Sequence, residues 1–335
     1  MDKKHLLDIE KSIAKNRILV IGDVMIDAYL FGSVDRISPE APVPIVNLNK
    51  RNNRLGGAAN VALNIQSMGA TPILCAIVGA DENGKKFIRI MESLGLCTEA
   101  MIHSPERITT VKYRIIGNNA QLLRVDEEMD SFLSSDEQKQ MLAKINYLLD
   151  HSLIDAIIFE DYDKGVINPM LIRAVIEKAG KASIPVTVDP KKRNFNHYDR
   201  CTLFKPNLKE LKEGTKASID YTSTEEVSTL VAHYIADHDI KMALITMSEK
   251  GVLVVWSLDG KYRHALIPAH FRNIVDVSGA GDTVISVATL VYLLGFSPEK
   301  MAAVANLAGG LVCEVVGVVP IDKSKLLSEI SRLKL

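Results

Sequence analysis

The 335-residue sequence predicts an α/β protein whose mostly parallel sheet is covered by helices on both faces. Three observations carry this. Short apolar runs rich in β-branched residues recur along the chain, helix-length stretches separate them, and polar residues gather where the apolar runs end. A content of 47% hydrophobic and 24% charged residues suits a folded chain rather than a disordered one.

In chain order, the strand runs are RILVIGDV (17–24), TPILCAIVG (71–79), DAIIFEDY (155–162), IPVTVDP (184–190), TLFKPN (202–207) and KMALITMS (241–248). Helices are expected over 57–68, 81–94, 135–150, 168–181 and 223–238, and the apolar segments 284–296 and 301–319 read as buried helices. VLVVWS and KYRHALI read as an antiparallel hairpin at the sheet edge, with Trp256 in a packing role. Two stretches break the alternation. Residues 28–50 hold three prolines and no helical period, while 108–126 has period-two character around a Gly-Asn-Asn turn. Together they predict a small antiparallel β lid over the carboxyl edge of the sheet, within a single domain spanning 1–335.

Composition excludes several classes of function. A net charge of −1 supplies no basic field for nucleic acid. Cys75, Cys97, Cys201 and Cys313 lie far apart with no C-x-x-C pair, as expected of reduced thiols in a cytoplasmic protein. The N-terminus MDKKHLLDIEKSIAKNR has no secretory core, and the apolar segments are too short or too polar to span a membrane. His233 and His238 belong to no metal-binding motif, and Gly22 stands alone where a dinucleotide fold needs G-x-G-x-x-G.

Two motifs carry chemistry. In Asp276-Val277-Ser278-Gly279-Ala280-Gly281-Asp282-Thr283, a small-residue turn precedes a long apolar helix, so the N–H groups of Gly279, Ala280 and Gly281 point outward as an anion site. Asp282, in the first turn, can reach a substrate hydroxyl beside a bound phosphate. Taken alone, the pattern fits an incidental glycine turn equally well. In Arg54-Leu55-Gly56-Gly57-Ala58-Ala59-Asn60, paired glycines admit a polyol to the backbone, and Asn60 offers both donor and acceptor to vicinal hydroxyls. Asp27 adds a carboxylate at the end of the first strand region, where it could equally cap a turn. GD at 22–23, EDYDKG at 160–165, DPKK at 189–192, KPN at 205–207 and TMSEKG at 246–251 fall at strand ends, where ligands bind in such sheets.

With both motifs present, the chain from about Arg17 to about Pro320 resembles the ribokinase-like (PfkB-type) carbohydrate kinase family, whose fold is a three-layer sandwich. ISPEAPVPIV (37–46), RLGGAANVALNIQSMGA (54–70), KYRIIGNNAQLLRVDEE (112–128), DYDKG (161–165), VDPK (188–191) and IPA (267–269) look most like its kinases of D-glycero-β-D-manno-heptose 7-phosphate. The resemblance implies ATP-dependent phosphorylation of the anomeric hydroxyl to give heptose 1,7-bisphosphate, a precursor of ADP-heptose and the lipopolysaccharide core. Asp282 would be the base, with Gly279, Ala280 and Gly281 stabilising developing charge. Asn207 and Glu210 resemble an N-x-x-E element acting on Mg²⁺ through water, although an N-cap and capping box fit the same spacing. Asp27, Gly56, Gly57 and Asn60 would contact sugar hydroxyls, with Gln121 reaching in from the lid.

For the 7-phosphate, the candidates are Lys112, Arg114, Arg124 and Lys191, with Arg124 and Lys191 as the preferred pair and Asp161 and Lys164 bordering the site. Thr246, Ser248 and Gly251 would meet ATP, and Asn306 the adenine. Relatives carry T-R-G-E where this chain has Thr246-Met247-Ser248-Glu249, and G-T where it has Gly317-Val318; the latter loop, with Asp276, would hold K⁺. The resemblance also implies a homodimer paired through the lid strands. No H-x-G-H element is present, so the kinase is expected without an adenylyltransferase domain. The alternatives are a kinase of another sugar or nucleoside, and a sugar-phosphate-binding regulator without turnover.

Overall fold

The computed structural model describes residues 9–270 and 272–333, so the N-terminal segment read above as lacking a secretory core lies partly outside the described residues. In chain order, the strands are β1 (Arg17–Gly22), β2 (Val24–Ile37), β3 (Pro44–Gly57), β4 (Thr71–Cys75), β5 (Ile77–Gly79), β6 (Ile102–Ser104), β7 (Val111–Gly117), β8 (Ala120–Glu127), β9 (Ala156–Glu160), β10 (Val186–Asp189), β11 (Leu203–Phe204), β12 (Met242–Thr246), β13 (Val252–Leu258) and β14 (Lys261–Ile267). The helices are α1 (Ala58–Ser67), α2 (Glu82–Ser93), α3 (Ser135–Asp150), α4 (Pro169–Lys181), α5 (Leu208–Thr215), α6 (Thr224–Asp237), α7 (Ala280–Leu293), α8 (Pro298–Val312) and α9 (Lys323–Leu333).

An eight-stranded sheet runs in the order β14-β13-β12-β11-β10-β9-β1-β4. Its strands are parallel apart from β13, which runs antiparallel to both of its neighbours. The continuous apolar runs are explained by burial on both faces. In β1, Ile18 and Val20 face one core with α1, α7 and α8, while Leu19 and Ile21 face another with α3, α4 and α6. β9 repeats the division, with Ala156 and Ile158 on the first face and Ile157 and Phe159 on the second. The result is three layers. Because β1, β9, β10, β11 and β12 run the same way, the residues that follow them meet along one edge.

A separate four-stranded sheet, β3-β2-β7-β8, rises from that edge. β2 begins just after Asp23, and β3 ends at Gly57, where it feeds α1. The Gly-Asn-Asn turn joins β7 to β8 with Asn118 and Asn119 both at positive φ, as a tight right-twisted hairpin requires.

The structure corrects several expectations. The second sheet is not wholly antiparallel: β2 and β7, the first strands of two hairpins, lie side by side and run parallel. Its first hairpin reaches beyond the expected 28–50, to 24–57, while the second starts later than the expected 108–126 and spans 111–127. The run 71–79 is two strands, because after Cys75 the chain leaves the main sheet and Ala76 O accepts from the Ile102 N–H, starting the β5–β6 pair. The buried helices expected at 284–296 and 301–319 span Ala280–Leu293 and Pro298–Val312. β6 and α9 were not foreseen, and α5 was implied only by the N-cap and capping-box reading of Asn207 and Glu210. Among the described residues, no helix is long and apolar enough to cross a membrane.

Candidate active site

The site is built where α7 meets the carboxyl edge. Gly279 caps α7 in the left-handed region at φ 81, and a Cβ there would lie 2.8 Å from Asn60 Nδ2, so the turn requires glycine on both counts. Asp282, 3% exposed, follows in the first turn. Its Oδ2 accepts from Asn60 Nδ2 at 2.7 Å and its Oδ1 from the Tyr162 hydroxyl at 2.8 Å. Burial pushes Asp282 above the ordinary carboxylate range; the Asn60 and Tyr162 hydrogen bonds oppose it, Asp189 adds to it and Lys205 reduces it.

A polar seam sets the register between α1 and α7. Thr283 Oγ1 donates to Asn64 Oδ1 at 3.1 Å, and Asn64 Oδ1 also accepts from the Ile321 N–H at 2.9 Å. Alanines 58, 59 and 62 are fully buried and let the two helices approach. Each polar group at the seam has a partner, so the seam specifies one alignment without leaving an orphaned donor. That alignment brings Asn60 to Asp282.

Glu160 at the end of β9 and Asp189 at the end of β10 complete a buried cluster, in which one oxygen each of Glu160, Asp189 and Asp282 lies within 4.8 Å of the others. Lys205 Nζ is 2.8 Å from Asp189 Oδ2 and Lys191 Nζ 3.7 Å from Asp189 Oδ1, so two ammonium groups meet the cluster's charge. Neither Glu160 oxygen has a hydrogen-bond partner, and burial, then Asp189 and Asp282, raise its carboxyl well above its usual range. Burial disfavours a charged Lys191, but Asp189 and Glu210 outweigh it and hold the ammonium.

The loop after β9 is held on several sides. Asp23 accepts from the backbone N–H groups of Tyr162 at 2.8 Å, Lys164 at 3.1 Å and Val166 at 3.1 Å. Arg107 donates to the carbonyls of Lys164 and Ser131. Asp161 points the other way: Asn194 Nδ2 and the Tyr198 hydroxyl donate to its Oδ2 at 2.9 and 2.8 Å, and burial with nearby Asp23 raises its carboxyl to about 7. Asp161, expected to border the substrate, is therefore a structural anchor turned into the protein.

Charged residues on and beside the four-stranded sheet meet one another. Asp27 pairs with Arg114, and burial raises the Asp27 carboxyl despite that partner. Lys112 lies 3.3 Å from Asp126 and 3.5 Å from Glu128, Arg124 3.0 Å from Asp126, and Lys164 2.8 Å from Glu128. Arg124 and Lys191, expected to act together, belong to different groups, because Lys191 binds Glu210 and Asp189 and stands 5.3 Å above the Tyr162 ring. Gln121 is exposed on β8, and Gly56 lies so close to Asp27 that a Cβ would meet its Oδ2 at 2.4 Å.

Asn207 and Glu210 form a capping box on α5, each side chain bonding the other's backbone N–H at 2.8 Å. With Glu210 also held by Lys191, this donor set fits Mg²⁺ through water better than by direct ligation. Thr246 ends β12, bridged to Asn207; Ser248 and Gly251 take positive φ in the turn that follows. Asn306 Nδ2 donates to Pro268 O at 2.9 Å. Burial would raise Asp276, but the N–H groups of Ser278 and Gly317 hold its carboxyl below the usual range, leaving an anion beside a carbonyl-rich turn, a donor set that fits a hard cation. In that turn, Arg54 already donates to the carbonyls of Val316 and Val318.

Sequence reasoning named the strand ends but passed over Asp23, Glu160, Tyr162, Asp189, Lys205 and Arg54. The available signal was their position: every second residue after a buried strand returns to the same face, which puts Glu160 and Tyr162 together and Asp161 opposite.

Residues 15–324 match the family described as pfkB family carbohydrate kinase. The D-beta-D-heptose 7-phosphate kinase of Bordetella bronchiseptica is 38% identical over 95% of this chain and 97% of that protein. The Bifunctional protein HldE of Geotalea uraniireducens is 34% identical over 98% of this chain and 66% of its own length, so the chain spans about two thirds of that relative. Phosphofructokinase-2 from Escherichia coli in complex with fructose-6-phosphate superposes with a TM-score of 0.75 at 17% identity, over 95% of this chain and 99% of that one. Arabidopsis thaliana ribokinase complexed with ribose and ATP gives 0.69 at 17%, over 93% and 98%. At such identities, these two likenesses show a shared fold.

Proposed function

We propose, starting from the fact that this chain belongs to the pfkB family of carbohydrate kinases, that it transfers the γ-phosphoryl group of ATP to the anomeric hydroxyl of D-glycero-D-manno-heptose 7-phosphate. The product is the 1,7-bisphosphate, on the route to ADP-heptose. The observation that carries the reaction is Asp282, a buried carboxylate held on both oxygens directly after the Gly279–Gly281 turn. The substrate reading rests on the heptose 7-phosphate kinase relative, which matches nearly end to end.

In this reading, the second lone pairs of Asp282 accept the proton of the attacking hydroxyl, late in a loose transition state, so a weak base suffices. The N–H groups at the head of α7, together with Lys191 and Lys205, meet the charge on the transferred group. Asn60 holds one Asp282 oxygen and faces the sugar; Asp27 and Gly56 contact its hydroxyls. Lys112, Arg114, Arg124 and Lys164 exchange their present carboxylate partners for the 7-phosphate. Asn207 and Glu210 would hold Mg²⁺ through water, where it would neutralise charge on ATP, and Asp276 with its carbonyl-rich turn would hold K⁺. Thr246, Ser248, Gly251 and Asn306 border the nucleotide, with exposed Val275, Val277, Val315 and Val316 offering its base an apolar surface. The four-stranded sheet acts as the lid of a single kinase domain, and its free edges and exposed Leu123 and Val125 are covered by a second copy in a homodimer.

ATP consumption measured with heptose 7-phosphate, fructose 6-phosphate and ribose tests this reading. Turnover is expected with the heptose; turnover with ribose alone would refute the substrate, and none with any sugar would favour a non-catalytic binder. Asp282→Asn is expected to lower kcat by a factor on the order of 10² to 10⁴ while leaving sugar binding nearly intact. An active Asn variant would remove Asp282 as the base.

A further inference from the structure

We propose that Tyr162 is a positioning residue for this reaction, its hydroxyl fixing the orientation of Asp282 and favouring the carboxylate form. The inference rests on Asp282 acting as the base. Tyr162 donates to Asp282 Oδ1 at 2.8 Å, the oxygen that Asn60 leaves free. With a donor on each oxygen, the carboxylate is held in one orientation and keeps a second lone pair on each oxygen for a hydroxyl proton.

The residue is itself held in place. The Tyr162 backbone N–H is bound by Asp23, the preceding residue, Asp161, is locked by Asn194 and Tyr198, and the Tyr162 ring lies under the Lys191 ammonium at 5.3 Å. A tyrosine present only to fill space would not need a loop tied down by three backbone N–H bonds to one buried carboxylate. The Lys191 contact also joins Tyr162 to the Glu210 side, so the base and the phosphate-side lysine share one support. The charged and titratable groups that face Asp282 are Asp189 from β10, Glu160 from β9, Lys205 after β11 and Lys191 beyond Asp189; on α1 it meets the neutral Asn60. Tyr162 is the hydroxyl donor among its partners.

The test uses the intact protein. In Tyr162→Phe, the acid limb of kcat against pH is expected to move up by about one unit, since a hydrogen bond to the charged form is lost. The plateau is expected to fall about tenfold, with KM for the sugar within about twofold. Site-specific Tyr162→3-fluorotyrosine, a stronger donor, is expected to move the limb down and covers the case in which the Phe variant folds poorly. A carbon-13 carboxyl titration of Asp282 by NMR reads the same shifts without any substrate. A limb and a titration that stay put in both variants would overturn the proposal, whatever happens to the plateau. Turnover retained in Asp282→Asn would instead sink the assignment of the base, and the NMR titration would still decide the Tyr162 hydrogen bond.

Discussion

Replacing Asp23 with alanine removes the one acceptor that three backbone N–H groups share. Val166 N–H is buried and cannot be rehydrated, whereas those of Tyr162 and Lys164 are part-buried and can recover water. Leaving a buried donor unpaired costs about 1–3 kcal/mol and a partly wet one less, so Asp23→Ala is expected to cost about 3–4 kcal/mol. Asp23→Asn separates the contributions. Its single oxygen can keep the two bonds made to Oδ2, from Tyr162 and Lys164, but its NH₂ then faces the Val166 N–H, for a loss of about 2 kcal/mol. Urea unfolding with linear extrapolation measures both, and amide hydrogen exchange locates them: all three amides should open in the alanine variant and chiefly that of Val166 in the asparagine variant. A loss below about 1 kcal/mol for Asp23→Ala, or wild-type exchange at all three amides, would refute the claim that this carboxylate holds the loop.

Asp23, Glu160 and Asp161 all have folded-state carboxyls raised by burial, Asp161 from 3.8 to about 7. Raised acids contribute stability that is full below their unfolded values and lost as pH rises through the folded ones, so stability should decline from about pH 4 toward 7. In Asp161→Asn that decline should be shallower in urea titrations across the same window; an unchanged slope would show that Asp161 is not the group responsible. Gly279→Ala places a Cβ 2.8 Å from Asn60 Nδ2 at φ 81, and should cost about 1–2 kcal/mol in thermal unfolding while lowering kcat far more than sugar affinity. Leu123→Lys puts a charge on the exposed strand β8, and if the proposed homodimer pairs there, sedimentation should show the substituted chain monomeric at concentrations where the unsubstituted chain self-associates; unaltered association would move the interface elsewhere.

Much of the architecture was legible before any coordinates. The helices at 135–150 and 168–181 fell within a residue of their observed bounds, because capping residues Ser134 and Asn168 and a 3.6-residue period are local signals. The same locality explains the failures. TPILCAIVG is uniformly apolar, and nothing within it says that Ala76 will turn to meet Ile102, 26 positions later. Asp161 stands in a strand-end cluster that looked like ligand chemistry, and only the packing of Tyr198 and Asn194 against it shows an anchor.

The sequence by itself determined the layers, the glycine turn ahead of α7 and the residue types able to handle a phosphate, because each depends on a few neighbouring residues. Tertiary structure alone decided which of those residues meet. Asn60 and Tyr162 reach Asp282 from 222 and 120 positions away, and Lys112, Arg114 and Lys164 pair with Asp126, Asp27 and Glu128 rather than gathering with Lys191. Hydrogen bonds and ion pairs act over a few ångströms, so partners are chosen by how the helices and the lid pack on the sheet, which no local pattern encodes.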